Sequence, residues 1–269
     1  MTHAWCPLSG VRPTPTATLI CNAVSSPKPQ PGNCWLVGSG PGSTEHLTLK
    51  AVRLIKDAKV IVYDDLGTQA ALDEYASPQA ERRYVGKRGQ QESIKQHEID
   101  SLLVSLCQQG QDVVRLKGGC PSTFSRVGSE LRALAAAGIP HEMVPGVSSA
   151  LAAPVLAGFP LTDAQVSSSY TVLTAHAPDQ VDWAKFAGLD TLVLLMAARN
   201  LHLIMQHLLR TGWSPQTPVA VIKWAGTEQQ HVWHATICTV ADKLHQEKLS
   251  PCIIVIGQVT QYANVANLE

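Results

Sequence analysis

The sequence Cys-Trp-Leu-Val-Gly-Ser-Gly-Pro-Gly-Ser at residues 34–43 contains the clearest local motif of the chain. Residues 34–37 are apolar and predict a buried strand, and residues 43–57 have the apolar spacing of a helix. The glycines between them let the backbone turn sharply and approach a ligand closely, and Ser43 is suited to cap the helix. The stretch therefore predicts a strand–loop–helix unit whose turn is open to a ligand.

This glycine loop, residues 38–42, departs from the fingerprint of dinucleotide-binding proteins. That fingerprint requires a third glycine where Ser43 stands, and Pro41 lacks the backbone N–H that would bind a phosphate. Asp64 nevertheless ends the next predicted strand at a spacing typical of a ribose-binding acid. A dinucleotide site and a plain tight turn without a ligand both stay open on this loop alone.

Short apolar runs alternate with amphipathic stretches outward from the loop. Strands are predicted at 34–37, 60–63, 113–116, 142–144, 170–173, 191–195, 219–222, 230–237 and 252–256. Helices are predicted at 43–57, 92–107, 128–137, 147–156, 201–209 and 239–244. This alternation predicts an α/β protein with largely parallel sheets. The turn Pro145-Gly146 predicts a boundary between two α/β domains, at 33–145 and 146–262.

The composition excludes several classes of protein. Hydrophobic residues make up 45% of the chain, which is enough for a core, and Lys plus Arg equals Asp plus Glu at 21 each. A generally basic nucleic-acid binder has a different balance. The seven cysteines form no CxxC pair, so neither a disulfide framework nor a zinc site is indicated. The apolar runs are too short to span a membrane, and a soluble protein of a reducing compartment is expected.

Residues 1–32 differ from the rest of the chain. The first acidic residue is Glu45, and Ser, Thr and Pro dominate the segment before it, with Arg12 and Lys28 as its basic residues. Acid-poor, hydroxyl-rich N-termini are typical of organelle transit peptides. We therefore expect a transit peptide to the chloroplast, the alternative being a disordered tail on a cytoplasmic protein.

A series of short motifs follows the glycine loop in a fixed order. They are Leu-Thr-Leu-Lys at 47–50, Val-Tyr-Asp at 62–64, Val-Gly-Lys-Arg at 85–88, Val-Arg-Leu-Lys-Gly-Gly at 114–119, Val-Pro-Gly-Val-Ser-Ser-Ala at 144–150 and Ala-Gly-Phe-Pro-Leu-Thr at 157–162. Together they resemble the tetrapyrrole methylase family, in particular its uroporphyrinogen-III C-methyltransferase branch, over residues 34–260.

The resemblance implies two αβα domains with S-adenosylmethionine in the cleft between them, and a homodimer. It implies C-methylation of uroporphyrinogen III toward precorrin-2 and sirohaem. The alternatives are a methyltransferase for another tetrapyrrole or a diphthine-type substrate, and a non-catalytic paralogue that binds tetrapyrrole or S-adenosylmethionine. No metal, nucleic acid or membrane is implied as a partner.

Matching positions imply roles for individual residues. Asp64 would be the proton acceptor and Lys87 the proton donor. Donor binding would fall to Pro41, Gly118, Gly119, Cys120, Thr123, Ser148, Ser149, Met196 and Gly226. For Met196, ordinary core packing is an equal alternative.

The substrate carries many carboxylates, so the cleft should contain cations. Arg88 and Arg115 are our substrate-binding candidates because guanidinium groups pair well with carboxylates. Arg82 and Arg83, near the end of a predicted strand, are either part of this cluster or a solvated basic face. His231 and His234 flank a strand-like pair, and in the absence of a third ligand we interpret them as surface or core histidines.

The chain departs from the family pattern on its donor and substrate surfaces. Cys120 stands where the family has aspartate, and it is either an inert replacement or a reactive thiol. Asp163-Ala164 replaces the His-Arg pair that is expected after Leu161-Thr162, which reverses the local charge.

Overall fold

The computed structural model describes residues 30–64, 68–86 and 94–264. Within these ranges the chain forms two lobes, each built on a five-stranded sheet with helices packed on it. The predicted α/β class is confirmed.

The N-terminal lobe contains one parallel sheet. Its strands are β1 (Cys34–Gly38), β2 (Val60–Tyr63), β3 (Glu81–Tyr84), β4 (Val113–Lys117) and β5 (His141–Val144). They lie side by side in the order β3-β2-β4-β1-β5, and every pairing is parallel. The helices are α1 (Leu49–Asp57), α2 (Gln69–Tyr75), α3 (Gln96–Gln108) and α4 (Val127–Ala136). All carboxyl ends of the strands therefore meet at one edge of the sheet.

The helix predicted at 43–57 is broken in two. A 3-10 turn covers Thr44–His46, and α1 begins only after Thr48. Thr48 has an extended backbone, and its hydroxyl accepts the N–H of Ala51, 3.2 Å away. Ser43 caps the earlier turn in the same way through Glu45. Two capping residues five positions apart thus start two helical segments where the apolar spacing predicted one.

The C-terminal lobe contains α5 (Ser149–Leu156), α6 (Leu201–Arg210), α7 (Val240–Lys243) and a second sheet. Its strands are β6 (Tyr170–Thr174), β7 (Thr191–Leu195), β8 (Pro218–Lys223), β9 (His231–Thr236) and β10 (Cys252–Ile256). Their order is β6-β7-β10-β8-β9. The strands predicted at 191–195 and 252–256 are confirmed residue for residue.

The expectation of largely parallel sheets is wrong for this second lobe. Only β6 and β7 pair in parallel, whereas β10 is antiparallel to both β7 and β8, and β8 is antiparallel to β9. Residues 224–230 join β8 to β9 without a helix, and such a connection places its two strands antiparallel. The apolar runs predict where the strands lie but give no information on whether neighbouring strands are parallel or antiparallel.

Four clusters of buried side chains form the core. Two lie on the two faces of the first sheet and include Leu103 and Leu134 on one face and Ile55 and Leu72 on the other. In the second lobe α5 packs Ala150 and Ala153 onto the sheet opposite the face that α6 covers. The chain thus passes from the first sheet to the second between Val144 and Ser149. No helix in the described ranges is long and apolar enough to cross a bilayer.

Candidate active site

Four of the predicted site segments come together at the carboxyl-end edge of the first sheet. The glycine loop follows β1, Asp64 follows β2, a diglycine loop (residues 118–123) follows β4, and Pro145–Ser149 follows β5. Gly40 and Gly119 exchange two backbone hydrogen bonds, of 3.2 and 2.8 Å, and Ser39 donates its N–H to the carbonyl of Lys117 at 2.8 Å. The edge of a parallel sheet where its loops converge is a common place for a ligand.

Three glycines let these loops pack backbone against backbone. A Cβ added to Gly146 would lie 2.2 Å from the carbonyl oxygen of Gly119, and one added to Gly38 would lie 2.6 Å from the same oxygen. Real Cβ atoms do not approach an oxygen so closely. A Cβ on Gly119 would be 3.8 Å from the N atom of Ser149, so the diglycine loop and the start of α5 face one another. The hydroxyl of Ser148 caps α5 by accepting the N–H of Ala150 at 3.3 Å.

The second lobe reaches the same place through the loop between β8 and β9. A Cβ on Gly226, which has a φ of +81°, would lie 3.2 Å from Cγ of Pro41. One on Gly42 would lie 2.8 Å from Cγ2 of Thr227. Predicted donor-binding residues of both lobes are therefore neighbours.

Gln230 holds this loop and was not predicted as a site residue. Its side-chain oxygen accepts the N–H of Gly226 at 3.0 Å, and its Nε2 donates to the carbonyl of Leu156 at 2.8 Å. A glutamine four residues after a glycine has no distinguishing sequence pattern, so only the folded arrangement reveals this clamp.

Cys120 lies half-buried in the diglycine loop. Its Sγ is 3.0 Å from Oγ of Ser122, and the carbonyl of Cys120 accepts the N–H of Thr123 at 3.1 Å. Burial by itself would raise the pKa of the thiol, but hydrogen bonds from the Ser122 side chain and from the backbone N–H groups of Gly146 and Ser122 outweigh it, and the pKa is lowered. The site thus favours negative charge on the residue that replaces aspartate.

Asp64 is the exposed end of a chain of ion pairs. Its side chain is 31% exposed, and Oδ2 accepts from Nη2 of Arg115 at 2.9 Å. Arg115 also donates from Nε to Oε1 of Glu130 at 3.1 Å, and Lys117 Nζ lies 2.9 Å from both oxygens of Glu130. Burial lowers the pKa of Lys117, as does the like charge of Arg115, while Glu130 opposes that shift.

Met196 follows β7 with a φ of +57°, and the residue is 47% exposed. This exposure excludes the core-packing interpretation. A methionine in the left-handed region is uncommon, and such outliers cluster at functional sites.

The remaining candidate cations have other surroundings. Lys87 and Arg88 lie outside the described residues. Arg82 donates to the carbonyl of Leu72 at 3.3 Å and lies 3.6 Å from Asp73, and Arg83 pairs with Glu81. Exposed pairs of this kind agree with the solvated-face interpretation of Arg82 and Arg83.

Two further sequence features have local explanations. Asp163 accepts the backbone N–H groups of Gln165 and Val166, at 2.8 and 3.2 Å, and these bonds keep the pKa of its carboxyl below its usual value. His231 and His234 are three positions apart on β9, so their side chains leave opposite faces of the strand and do not converge on a metal. His231 packs on the ring of Trp233, with 4.2 Å between the ring centroids.

Comparison with known proteins gives consistent matches over most of the chain. The family described as Tetrapyrrole (Corrin/Porphyrin) Methylases matches residues 33–241. The uroporphyrinogen-III C-methyltransferase of Synechococcus elongatus is 46% identical over 230 residues, which cover 86% of this chain and 94% of that protein. The S-adenosyl-L-methionine-dependent uroporphyrinogen III methyltransferase of Methanosarcina barkeri is 41% identical, over 87% of this chain and 94% of its own length.

Solved structures agree with these matches. The uroporphyrin-III C-methyltransferase of Thermus thermophilus in complex with S-adenosylhomocysteine superposes with a TM-score of 0.75 at 37% identity. The superposition covers 86% of this chain and 99% of that one.

Proposed function

This chain belongs to the tetrapyrrole methylase family, and on that basis we propose that it transfers methyl groups from S-adenosylmethionine to carbon atoms of uroporphyrinogen III, toward precorrin-2 and sirohaem. The observation that carries the proposal is the meeting of loops from both lobes at Pro41 and Gly226, beside the diglycine loop. The solved relative with S-adenosylhomocysteine bound has the same fold over nearly its whole length.

The residues present fit the methyl donor. Gly38 and Gly146 are closed against the carbonyl of Gly119, whereas a Cβ on Gly119 would meet nothing nearer than the N atom of Ser149 at 3.8 Å, so the bare backbone of the diglycine loop can approach a ligand on that side. Thr123 belongs to the diglycine loop, Ser148 and Ser149 stand at the start of α5, which faces Gly119, and Met196 is exposed after β7. We assign donor binding to these residues together with Pro41, Gly118, Cys120 and Gly226.

The chemistry requires alignment and one proton acceptor from the protein. When bound, S-adenosylmethionine supplies a methyl group that is already strongly electrophilic. Rigid loops that hold two reactants in line can therefore supply much of the rate enhancement. Carbon–carbon bond formation leaves positive charge on the macrocycle, which is discharged when the ring loses a proton. Asp64, held at Oδ2 and still accessible, is the group we assign to accept that proton. The proton-donor role of Lys87 and the substrate-binding role of Arg88 stay predictions.

Transfer of label tests this function. The purified chain is incubated with methyl-labelled donor and either uroporphyrinogen III or a different tetrapyrrole, and S-adenosylhomocysteine binding is measured in parallel by calorimetry. We expect binding and label in uroporphyrinogen III. Binding without transfer to that ring would favour another substrate, and no binding at millimolar concentration would favour a non-catalytic paralogue.

We further propose that the chain forms a homodimer through an apolar face around α5. Large apolar side chains are exposed there: Leu49, Met143, Val147, Leu151 and Val155, the last of them by 70%. The hydroxyl of Thr48 bonds to the carbonyl of Pro145, and Lys50 pairs with Glu142, which joins the start of α1 to β5 on this face. Apolar clusters of this kind mark interaction sites.

Sedimentation tests the dimer. Val155→Glu should convert a two-chain species to a single chain, whereas Leu209→Glu, an equally drastic change on the exposed side of α6 in the same lobe, should not. A single-chain wild type would contradict the proposal.

For residues 1–32 we propose import into the chloroplast. The proposal rests on the acid-poor, hydroxyl-rich composition of this segment. Residues 1–29 lie outside the described ranges. A fluorescent reporter carrying residues 1–32 should accumulate in the plastids of plant cells, and the reporter alone should stay in the cytosol. A cytosolic fusion would leave the disordered-tail interpretation.

A further inference from the structure

The chain of ion pairs behind Asp64 runs from the site edge into the interior of the N-terminal lobe. Its members are Asp64, Arg115, Glu130 and Lys117. Glu130 is 0% exposed, and the side chains of Arg115 and Lys117 are 3% and 4% exposed. The two carboxylates and two cations balance, so the set carries no net formal charge.

The sheet register explains why these groups meet. Val62 of β2 pairs with Arg115 of β4 in a parallel ladder. Side chains two positions apart in a strand share a face, so Asp64 beyond the end of β2 lies on the same side as Arg115 and Lys117. Glu130 faces this side from the first turns of α4, where the helix dipole favours a negative charge.

Arg115 uses its guanidinium group in three directions. Nη2 donates to Asp64 at 2.9 Å, Nε to Glu130 at 3.1 Å and Nη1 to the carbonyl of Leu116 at 2.9 Å. Turning this buried group toward a substrate carboxylate would break bonds that water cannot replace. This geometry supports a role for Arg115 other than the substrate binding that the sequence suggested.

We infer that Arg115 is a positioning residue for Asp64, and that the fully buried Glu130 in turn fixes Arg115. The inference rests on the proposed function. Arg115 holds Oδ2 of Asp64 through one hydrogen bond and keeps a positive charge beside it, which restricts the orientations that the carboxylate can take. Glu130 separates two buried cations, so neutralising it leaves Arg115 and Lys117 repelling each other and displaces Arg115 from Asp64.

A variant that cannot touch the ligands tests this inference. Glu130→Gln keeps the shape of the side chain and removes its charge. The matched control is Glu81→Gln, which removes the charge of an exposed glutamate that is also paired with an arginine. We expect Glu130→Gln to lower kcat about tenfold, within the range that a positioned acid or base contributes. The KM for the macrocycle and the affinity for S-adenosylhomocysteine should stay unchanged, and Glu81→Gln should match the wild type.

The decisive measurement combines this change with Asp64→Asn. If Glu130 acts only through Asp64, the double variant should be no slower than Asp64→Asn alone, because coupled residues are not additive. A further tenfold loss in the double variant, or weakened S-adenosylhomocysteine binding in Glu130→Gln, would assign Glu130 a merely structural role and overturn the inference. A Glu130→Gln enzyme as fast as the wild type would overturn it too.

If Glu130→Gln does not fold by circular dichroism, Arg115→Lys replaces it, since lysine keeps the charge but cannot bridge the same three acceptors. Failure of the proposed function is distinguished from failure of this inference by the wild type, which would then transfer no methyl group to any tetrapyrrole. An active wild type with unaffected variants removes only the positioning role.

Discussion

At the scale of single residues, the candidate site contains groups with different kinds of support. Asp64 is accessible and is held by a buried arginine, which is the arrangement expected of a group that must present a carboxylate in one orientation. Cys120 stands in the diglycine loop with hydrogen bonds that favour its thiolate. Asp64 and Cys120 each give a prediction that can be tested by substitution or chemical modification.

Replacing Asp64 by Asn should slow methyl transfer about a hundredfold, because the amide cannot take up the proton that the methylated ring must lose. The side chain keeps its size, so S-adenosylhomocysteine should bind as before. Single-turnover rates and calorimetry on the same preparation measure both effects. An unchanged rate would remove Asp64 from the mechanism.

Alkylation should identify the role of Cys120. Its lowered pKa means that more thiolate is present at a given pH than in an ordinary thiol, so iodoacetamide should begin to react with it at lower pH. Modification should abolish S-adenosylhomocysteine binding, and the bound ligand should protect the thiol. The pH at which mass-detected labelling begins measures the first effect.

Two variants serve as controls for this experiment. Cys120→Ser should have the same affinity for S-adenosylhomocysteine before and after iodoacetamide treatment. Cys238→Ser should lose binding on treatment as the wild type does, because Cys238 is an exposed thiol outside the candidate site. Equal loss of binding in treated Cys120→Ser would place the sensitive thiol elsewhere.

The role of Glu130 could not be predicted from the sequence. In Val-Gly-Ser-Glu-Leu-Arg-Ala-Leu it resembles any acid on the polar face of a helix. Its burial depends on Arg115 and Lys117, which lie two positions apart on β4 and therefore on the same face of the sheet. A buried charge can be recognised only when its partners are known.

At the scale of elements, loops that glycine makes possible were predictable and strand directions were not. Gly38 and Gly146 meet the carbonyl of Gly119 because both lack a side chain, and the positions of these glycines after apolar strands are visible in the sequence. The antiparallel arrangement of β8, β9 and β10 depends on connections whose course the apolar runs do not encode. Two capping hydroxyls, at Ser43 and Thr48, likewise divided a helix that the apolar spacing made continuous.

Gly146→Ala tests the packing of these loops. The added Cβ would fall 2.2 Å from the carbonyl oxygen of Gly119, so the diglycine loop must move. We expect a loss of about 1–3 kcal/mol in the free energy of unfolding, as overpacking usually costs. Displacement of the diglycine loop should also weaken S-adenosylhomocysteine binding, because this loop carries residues that we assign to donor binding.

Gly128→Ala is the matched control for Gly146→Ala. Gly128 is the second residue of α4, and its added Cβ would meet the far end of the Arg132 side chain at 3.4 Å. Alanine has no steric conflict there, so this variant should keep the wild-type free energy of unfolding and bind the ligand normally. Equal behaviour of the two variants in denaturant titration and calorimetry would contradict the proposed packing.

At the scale of the whole molecule, two unlike lobes carry the residues of the candidate site. The parallel sheet carries the glycine loop, the diglycine loop and Asp64, while the mainly antiparallel lobe carries α5, the loop that Gln230 clamps and Met196, for which donor binding is a proposal. Neither lobe alone contains all of the proposed site residues. The family resemblance of the sequence predicted this division, and the folded chain supplies the contacts, such as that of Pro41 with Gly226, through which the lobes meet.

The most direct test of the central claim is to locate the transferred carbon. The chain is incubated anaerobically with uroporphyrinogen III and a donor whose methyl group is ¹³C, and the product is examined by NMR. We predict ¹³C methyl signals of groups bonded to carbon of the macrocycle, and strongly reduced signals with Asp64→Asn. Label found as methyl ester on the side-chain carboxylates, or no label in the ring while S-adenosylhomocysteine still binds, would contradict the account.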